Sequence, residues 1–173
     1  MRTIAGLSVA ALLITPASAE PQSQDKQTVT VGPWTIAADY KADKFDSCSM
    51  SRSANELGIS FVRTQDDLLL LLNSPKWKLE RGKAYTVRLI AGPRSVEAKA
   101  LAESKSVTVA LVDQPLNDRL RTADVLEVKG EGATLRVPLD GSTAALDRLK
   151  SCFDKNSRQA TDTNPFVAPN HKP

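Results

Sequence analysis

Short apolar or alternating segments, each ended by turn-forming residues, fill the sequence between positions 28 and 139. Val87 and Leu89, for example, alternate with Thr86 and Arg88, which is the pattern of a half-buried strand. About seven to nine such strands follow one another without long helices between them, so they should pair mainly antiparallel. The sequence therefore predicts a mainly β fold, either an antiparallel β-sandwich or a curled sheet, with a short helix and a C-terminal helix packed on it.

The longest apolar run after the N-terminal segment is the five leucines at 68–72. Two aspartates precede this run and Asn-Ser-Pro follows it, which leaves too little length for a typical helix. A short apolar run between turn signals favours a central strand covered on both faces, although a helix stays an alternative.

Two hairpins and a short helix complete the predicted elements before the C-terminal helix. The first hairpin joins residues 48–53 to 59–63, and the second joins 125–128 to 133–139 across a glycine-rich turn. Residues 115–123 begin with proline and carry leucines four positions apart, which suits a short helix.

The final predicted helix begins at Ser142 or Thr143, because either hydroxyl can accept a hydrogen bond from the first free N–H groups. Leu149 and Cys152 fall on the same helical face as Ala145, so that face should be buried.

The chain divides into a signal segment, one domain over residues 28–156 and a tail over 157–173. The tail has three prolines and little apolar content, so it is predicted to be disordered. Residues 1–19 begin with the positive Arg2, continue with an apolar stretch and end in small residues, the pattern of a cleaved signal peptide. The alternative is an uncleaved anchor, but the apolar stretch is shorter than the roughly 20 residues that span a bilayer. We therefore expect a periplasmic or secreted protein with no transmembrane segment in the mature chain.

Cys48 and Cys152 are the two cysteines of the chain. Export would place them in an oxidising compartment, where an even number of cysteines predicts a disulfide. A redox-active pair is the alternative, but such pairs are commonly close in sequence with one thiol near a helix N-terminus. A metal site would need further ligands, and the single histidine, His171, lies in the predicted tail. We therefore predict a structural disulfide, with no metal and no cofactor.

Several kinds of chemistry have no motif in the sequence. It contains no nucleophile elbow, no phosphate-binding loop and no zinc-protease motif. A formal charge of +3 is too small to favour nucleic acid as a partner. A carboxylate-dependent hydrolase acting on envelope glycans stays an alternative. Its candidate carboxylates are Glu56, Asp66, Asp67, Glu80, Glu97 and Glu103.

The two tryptophans are the candidate contact residues. Trp34 follows a Gly-Pro bend and is expected to fill the core. Trp77 lies between Lys76 and Lys78, and an aromatic side chain flanked by cations can bind a sugar, a peptide or another protein. These three residues are the predicted binding site for an unknown protein or envelope component.

Three short segments carry a family resemblance: residues 32–36 (GPWTI), 48–52 (CSMSR) and 137–146 (VPLDGSTAAL). Their order resembles that of the secreted invasion-associated locus B family of alphaproteobacteria. The resemblance implies a small periplasmic or secreted β-rich protein without enzymatic activity, linked in some bacteria to host-cell entry. It supplies no catalytic residues. Together these observations predict an exported, non-enzymatic interaction module of the cell envelope.

Overall fold

The computed structural model describes residues 28–42 and 44–161. Ten strands form one antiparallel sheet, and a short helix and a C-terminal helix pack on it, so the predicted mainly β fold is confirmed. The strands make a single sheet rather than the two sheets of a sandwich. The predicted signal peptide and the last part of the predicted tail, residues 162–173, lie outside the described residues.

The elements follow one another as β1 (Thr28–Val31), β2 (Trp34–Lys41), β3 (Lys44–Ala54), β4 (Leu57–Arg63), β5 (Leu68–Asn73), β6 (Ala84–Ala91), β7 (Arg94–Glu103), β8 (Ser106–Ala110), α1 (Gln114–Arg119), β9 (Val125–Lys129), β10 (Thr134–Pro138) and α2 (Ser142–Thr161). Both predicted hairpins are confirmed, as β3–β4 and β9–β10.

The strand order is β1-β2-β3-β4-β5-β8-β7-β6-β9-β10. The first five strands form a meander. The chain then crosses through residues 74–83 to β6 and returns through β7 and β8, so that β8 pairs with β5. The β9–β10 hairpin adds to the free side of β6. β6 therefore lies between β7, which follows it directly in the chain, and β9, which comes after α1.

One face of the sheet forms the core. A row of directly paired buried residues crosses six strands: Ile36, Met50, Phe61, Leu70, Val109 and Ala100. The five-leucine run is a central strand as predicted, with Leu70 fully buried. It is not covered on both faces, because Leu69 and Leu71 point to the opposite face and are half-buried. The expected double coverage was therefore wrong.

The C-terminal helix packs across β2 and β3, and the predicted disulfide between Cys48 and Cys152 is confirmed at this contact. At the start of α2, the Ser142 hydroxyl donates a 2.6 Å hydrogen bond to the carbonyl of Leu120. This bond joins the start of α2 to the residue that follows α1. The helix continues to Thr161, past the predicted domain end at residue 156.

Candidate functional site

An open apolar cleft of about 610 Å³ lies on the core face of the sheet, where β6 and the β9–β10 hairpin separate. Its volume falls within the range of about 300 to 1,000 Å³ that is usual for ligand sites. We call it the Trp77 cleft. Its main apolar lining residues are Trp77, Leu79, Tyr85, Val87, Val128 and Leu135.

One wall of the cleft is the segment at 74–83, which backbone hydrogen bonds hold against the β7–β8 hairpin. The N–H of Leu79 donates to the carbonyl of Ser104 at 2.9 Å, and the N–H of Gly82 donates to that of Ala102 at 2.8 Å. Trp77 itself is half-buried and packs against the core. The position of its indole is therefore set by the fold.

The opposite wall is the β9–β10 hairpin, in which Val128 and Leu135 are directly paired. A 2.9 Å hydrogen bond from the N–H of Gly130 to the carbonyl of Ala133 closes the turn of this hairpin. Leu135 is half-buried although it lies on the core face of its strand. Apolar surface on both walls thus stays accessible to a ligand.

The floor of the cleft is open because β9 pairs with only part of β6. β7 pairs with β6 along its whole length, from Ala84 to Ala91. β9 pairs with β6 from Arg88 to Ala91 and then turns away at Gly130. Tyr85, on the uncovered half of β6, is consequently half-buried.

Few charges line the cleft. Lys83 places its Nζ 5.5 Å from the centre of the Tyr85 ring and 3.2 Å from Glu80 Oε1. Among the described lining residues, Glu131 is the single carboxylate. The arrangement suits the burial of an apolar or aromatic group beside a cation.

The structure separates the three residues that the sequence predicts as a binding site. Trp77 forms a wall of the cleft, whereas the exposed Lys76 and Lys78 do not line it. Lys76 forms an ion pair with Glu56 in the β3–β4 turn.

Sequence reasoning missed Tyr85, Leu135 and the turn at 130–133 as site residues. Tyr85 and Leu135 occupy core-facing positions of alternating strands, so the pattern predicts that they are half-buried or buried. No local pattern shows that the neighbouring strand ends before it covers them.

The carboxylates considered for hydrolysis are distributed over the surface. Glu80 pairs with Lys83, and Glu103 pairs with Arg81 at 3.0 Å. Across residues 28–42 and 44–161, no group of three or more His, Cys, Asp or Glu side chains gathers in an arrangement that could hold a metal ion. Neither of the two described helices is long and apolar enough to cross a membrane.

Comparison with protein-family models, with curated proteins and with solved structures finds no match to this chain. Information about function therefore comes mainly from the geometry of the Trp77 cleft.

Proposed function

We propose that this chain is an exported, non-enzymatic binding module of the cell envelope, which captures its partner through the Trp77 cleft. The observation that carries the proposal is that Trp77 and Tyr85 stay half-buried around an open apolar volume of about 610 Å³. Covering apolar surface contributes about 25 cal/mol per Å². Large aromatic side chains are also the residues that most often anchor protein interfaces.

An extracytoplasmic location is supported by the disulfide between Cys48 and Cys152, because such bonds persist mainly in oxidising compartments. The signal peptide at residues 1–19 and the periplasmic or secreted location stay predictions. So does the resemblance to the invasion-associated locus B family.

A binding role agrees better with the cleft than glycan hydrolysis does. Hydrolysis by paired carboxyl groups requires two of them facing each other across the substrate site. The described lining of the Trp77 cleft holds one, Glu131, and its walls are mostly apolar. The cleft thus offers burial of a partner rather than a pair of proton-transfer groups.

The test uses an exposed alanine at the mouth of the cleft. Ala133 lines the cleft but contributes little to the core, so Ala133→Arg should fill the opening without destabilising the fold. Ala110 is also exposed, lies outside the cleft and gives the matched control Ala110→Arg. Oxidised mature protein is immobilised and exposed to periplasmic extract, and captured proteins are identified by mass spectrometry.

We expect Ala133→Arg to reduce capture of the partner at least tenfold, while Ala110→Arg captures it as the wild type does. Trp77→Ala should give the same loss as Ala133→Arg, and its melting temperature is measured because Trp77 packs against the core. Equal capture by Ala133→Arg and Ala110→Arg would show that the cleft is not the binding site.

A further inference from the structure

We propose that the partner enters the Trp77 cleft as an extended peptide and pairs with β6 as an additional strand. This inference rests on the proposed function and gives the chemical class of its partner. Half of β6 has a neighbouring strand on one side only.

The register of the sheet locates this uncovered edge. On one side, β7 pairs with β6 from Ala84 onward. On the other side, the β9 pairing ends where Lys129 lies opposite Arg88. Within the described ranges of the chain, no strand continues β9 alongside residues 84–87. Residues 84–87 line the Trp77 cleft on one side and residues 130–133 line it as well, so the uncovered edge of β6 opens into the cleft.

Hydrogen bonds at the ends of the strands show which backbone groups face the gap. Alternate residues of an antiparallel strand direct their N–H and C=O groups to opposite neighbours. The N–H of Ala102 donates to the carbonyl of Lys83 at 2.8 Å, so this carbonyl faces β7, while the N–H of Lys83 donates to Glu80. Ala84 and Thr86 therefore face the other side, where β9 has ended.

The β9–β10 turn gives the same assignment independently. The N–H of Gly130 donates to the carbonyl of Ala133, so Gly130 faces β10 and the preceding Lys129 faces β6. Arg88, which is paired with Lys129, must then direct its backbone groups towards β9. Two positions earlier, Thr86 directs its own N–H and C=O groups into the gap.

An extended peptide satisfies this edge better than a lipid chain does. A lipid chain could fill the apolar volume, but it would leave the N–H and C=O groups of Ala84 and Thr86 without partners while removing water from them. Each buried polar group without a partner costs about 1 to 3 kcal/mol. A polypeptide strand supplies donors and acceptors at the required spacing, as in other cases of strand addition to a sheet edge.

The two faces of β6 set the side-chain pattern of this peptide. Residues opposite Tyr85 and Val87 would point to the core face and enter the cleft beside Trp77. The residue between them, opposite Thr86, would point to the other face of the sheet. A second cavity of about 240 Å³ on that side is lined by both Arg88 and Glu97, so this position suits a polar side chain. The recognised pattern is apolar–polar–apolar.

The experiment uses the oxidised mature protein and a synthetic peptide, acetyl-Gly-Thr-Val-Thr-Val-Thr-Gly-amide. Binding is measured by isothermal titration calorimetry. The control peptide has the same side chains but carries a methyl group on the backbone nitrogen of the central threonine, which removes the N–H that would donate to Thr86. Decanoate serves as the lipid probe. We expect the control peptide and decanoate to bind at least tenfold more weakly than the unmodified peptide.

Two variants at one position test the edge from the protein side. Thr86→Pro removes the N–H that faces the gap and leaves the ladder to β7 intact, whereas Thr86→Val keeps that N–H. Both variants lose the hydrogen bond from Lys99 Nζ to the Thr86 hydroxyl, so they are matched. We expect Thr86→Pro to abolish peptide binding and Thr86→Val to retain it. If Thr86→Pro does not fold, the two peptides on the wild-type protein decide the question.

Unchanged binding of the methylated peptide, or decanoate binding more tightly than the unmodified peptide, would overturn strand addition. The proposed function fails separately, when Ala133→Arg captures the partner as well as Ala110→Arg does. A third outcome is that Ala133→Arg loses capture of the partner while Thr86→Pro keeps it. That outcome would support the proposed binding function and would overturn strand addition by a peptide.

Discussion

The indole Nε1–H of Trp34 donates a 2.9 Å hydrogen bond to the backbone carbonyl of Asp140, 106 residues further along the chain. The guanidinium of Arg52 covers the same indole, 5.2 Å from the ring centre, and forms an ion pair with the Asp140 carboxylate. The contact joins the start of β2 to the segment between β10 and α2. None of the three residues lines the Trp77 cleft. Residues 32–36, 48–52 and 137–146 therefore meet in one structural cluster.

A substitution of Trp34 by phenylalanine removes the indole N–H that donates to Asp140 but keeps an aromatic ring at this position. Trp34→Phe should lower the free energy of unfolding by about 2 kcal/mol, because a carbonyl loses its donor and a fully buried side chain loses volume. Trp77→Phe is the control, since Trp77 is half-buried, and it should cost less than about 1 kcal/mol. Urea unfolding measures both changes. Similar losses for the two variants would show that the contact with Asp140 contributes little.

Gly141 is required at the same junction for two reasons that can be separated. Its φ is +72°, and a Cβ built there would lie 3.2 Å from Cδ of Pro33. Gly82 has a φ of +79° with nothing within 4 Å of its Cβ position. Gly82→Ala should therefore cost about 1 to 2 kcal/mol for the left-handed backbone alone. Gly141→Ala should cost about 1 kcal/mol more, because the Pro33 ring must also shift. Equal losses in urea unfolding would mean that the ring moves freely.

Local sequence patterns were sufficient to predict most elements of the fold. The alternation in β6 and the glycine-rich turn of the β9–β10 hairpin depend on neighbours in sequence, and both are confirmed. The last helix begins at Ser142, one of the two predicted starts, but the predicted hydroxyl cap is not seen, because the Ser142 hydroxyl donates to the carbonyl of Leu120 and that of Thr143 donates to the carbonyl of Arg121. The joining of all strands into one sheet depends instead on the return of β8 to β5, which no local pattern records.

The residues of the candidate site could be predicted only in part, because their exposure also depends on contacts between distant segments of the chain. Trp77 attracts attention because two lysines flank it, but Lys76 instead pairs with Glu56, which lies 20 residues earlier. Tyr85 becomes accessible because β9 stops opposite Arg88, a consequence of strand register. A sequence shows that a residue faces the core, but it does not show whether a neighbouring strand is long enough to cover it.

The disulfide should contribute strongly to stability because it closes a loop of 104 residues. In the chain-entropy model, a loop of about this length stabilises the folded state by about 4 to 5 kcal/mol. The double variant Cys48→Ala/Cys152→Ala should lose about 4 kcal/mol of unfolding free energy relative to the oxidised wild type, as measured by urea unfolding. The reduced wild-type protein should show a loss of similar size. A loss below about 1 kcal/mol would indicate that the unfolded chain is held compact without the bond.

Asp113 lies at the start of α1 and should make the stability of the protein depend on pH. Its carboxylate accepts a 3.0 Å hydrogen bond from Nε of Arg94 and a 2.8 Å bond from the N–H of Leu116. The Arg94 hydrogen bond, followed by that of Leu116, lowers the pKa of Asp113, although desolvation raises it. Because the folded pKa lies below the unfolded value of about 3.9, the stabilisation is fully present above about pH 5 and is lost as the pH falls through the folded pKa.

Asp113→Asn keeps an oxygen for the N–H of Leu116 but removes the negative charge. We therefore expect the variant to be less stable than the wild type at pH 7, with a difference that shrinks as the pH falls towards 2. Thermal unfolding at several pH values measures this difference. Arg94→Gln should weaken the same pH dependence, because it removes the main cause of the lowered pKa. A difference between Asp113→Asn and the wild type that stays constant with pH would contradict the assignment and leave Asp113 as a helix cap alone.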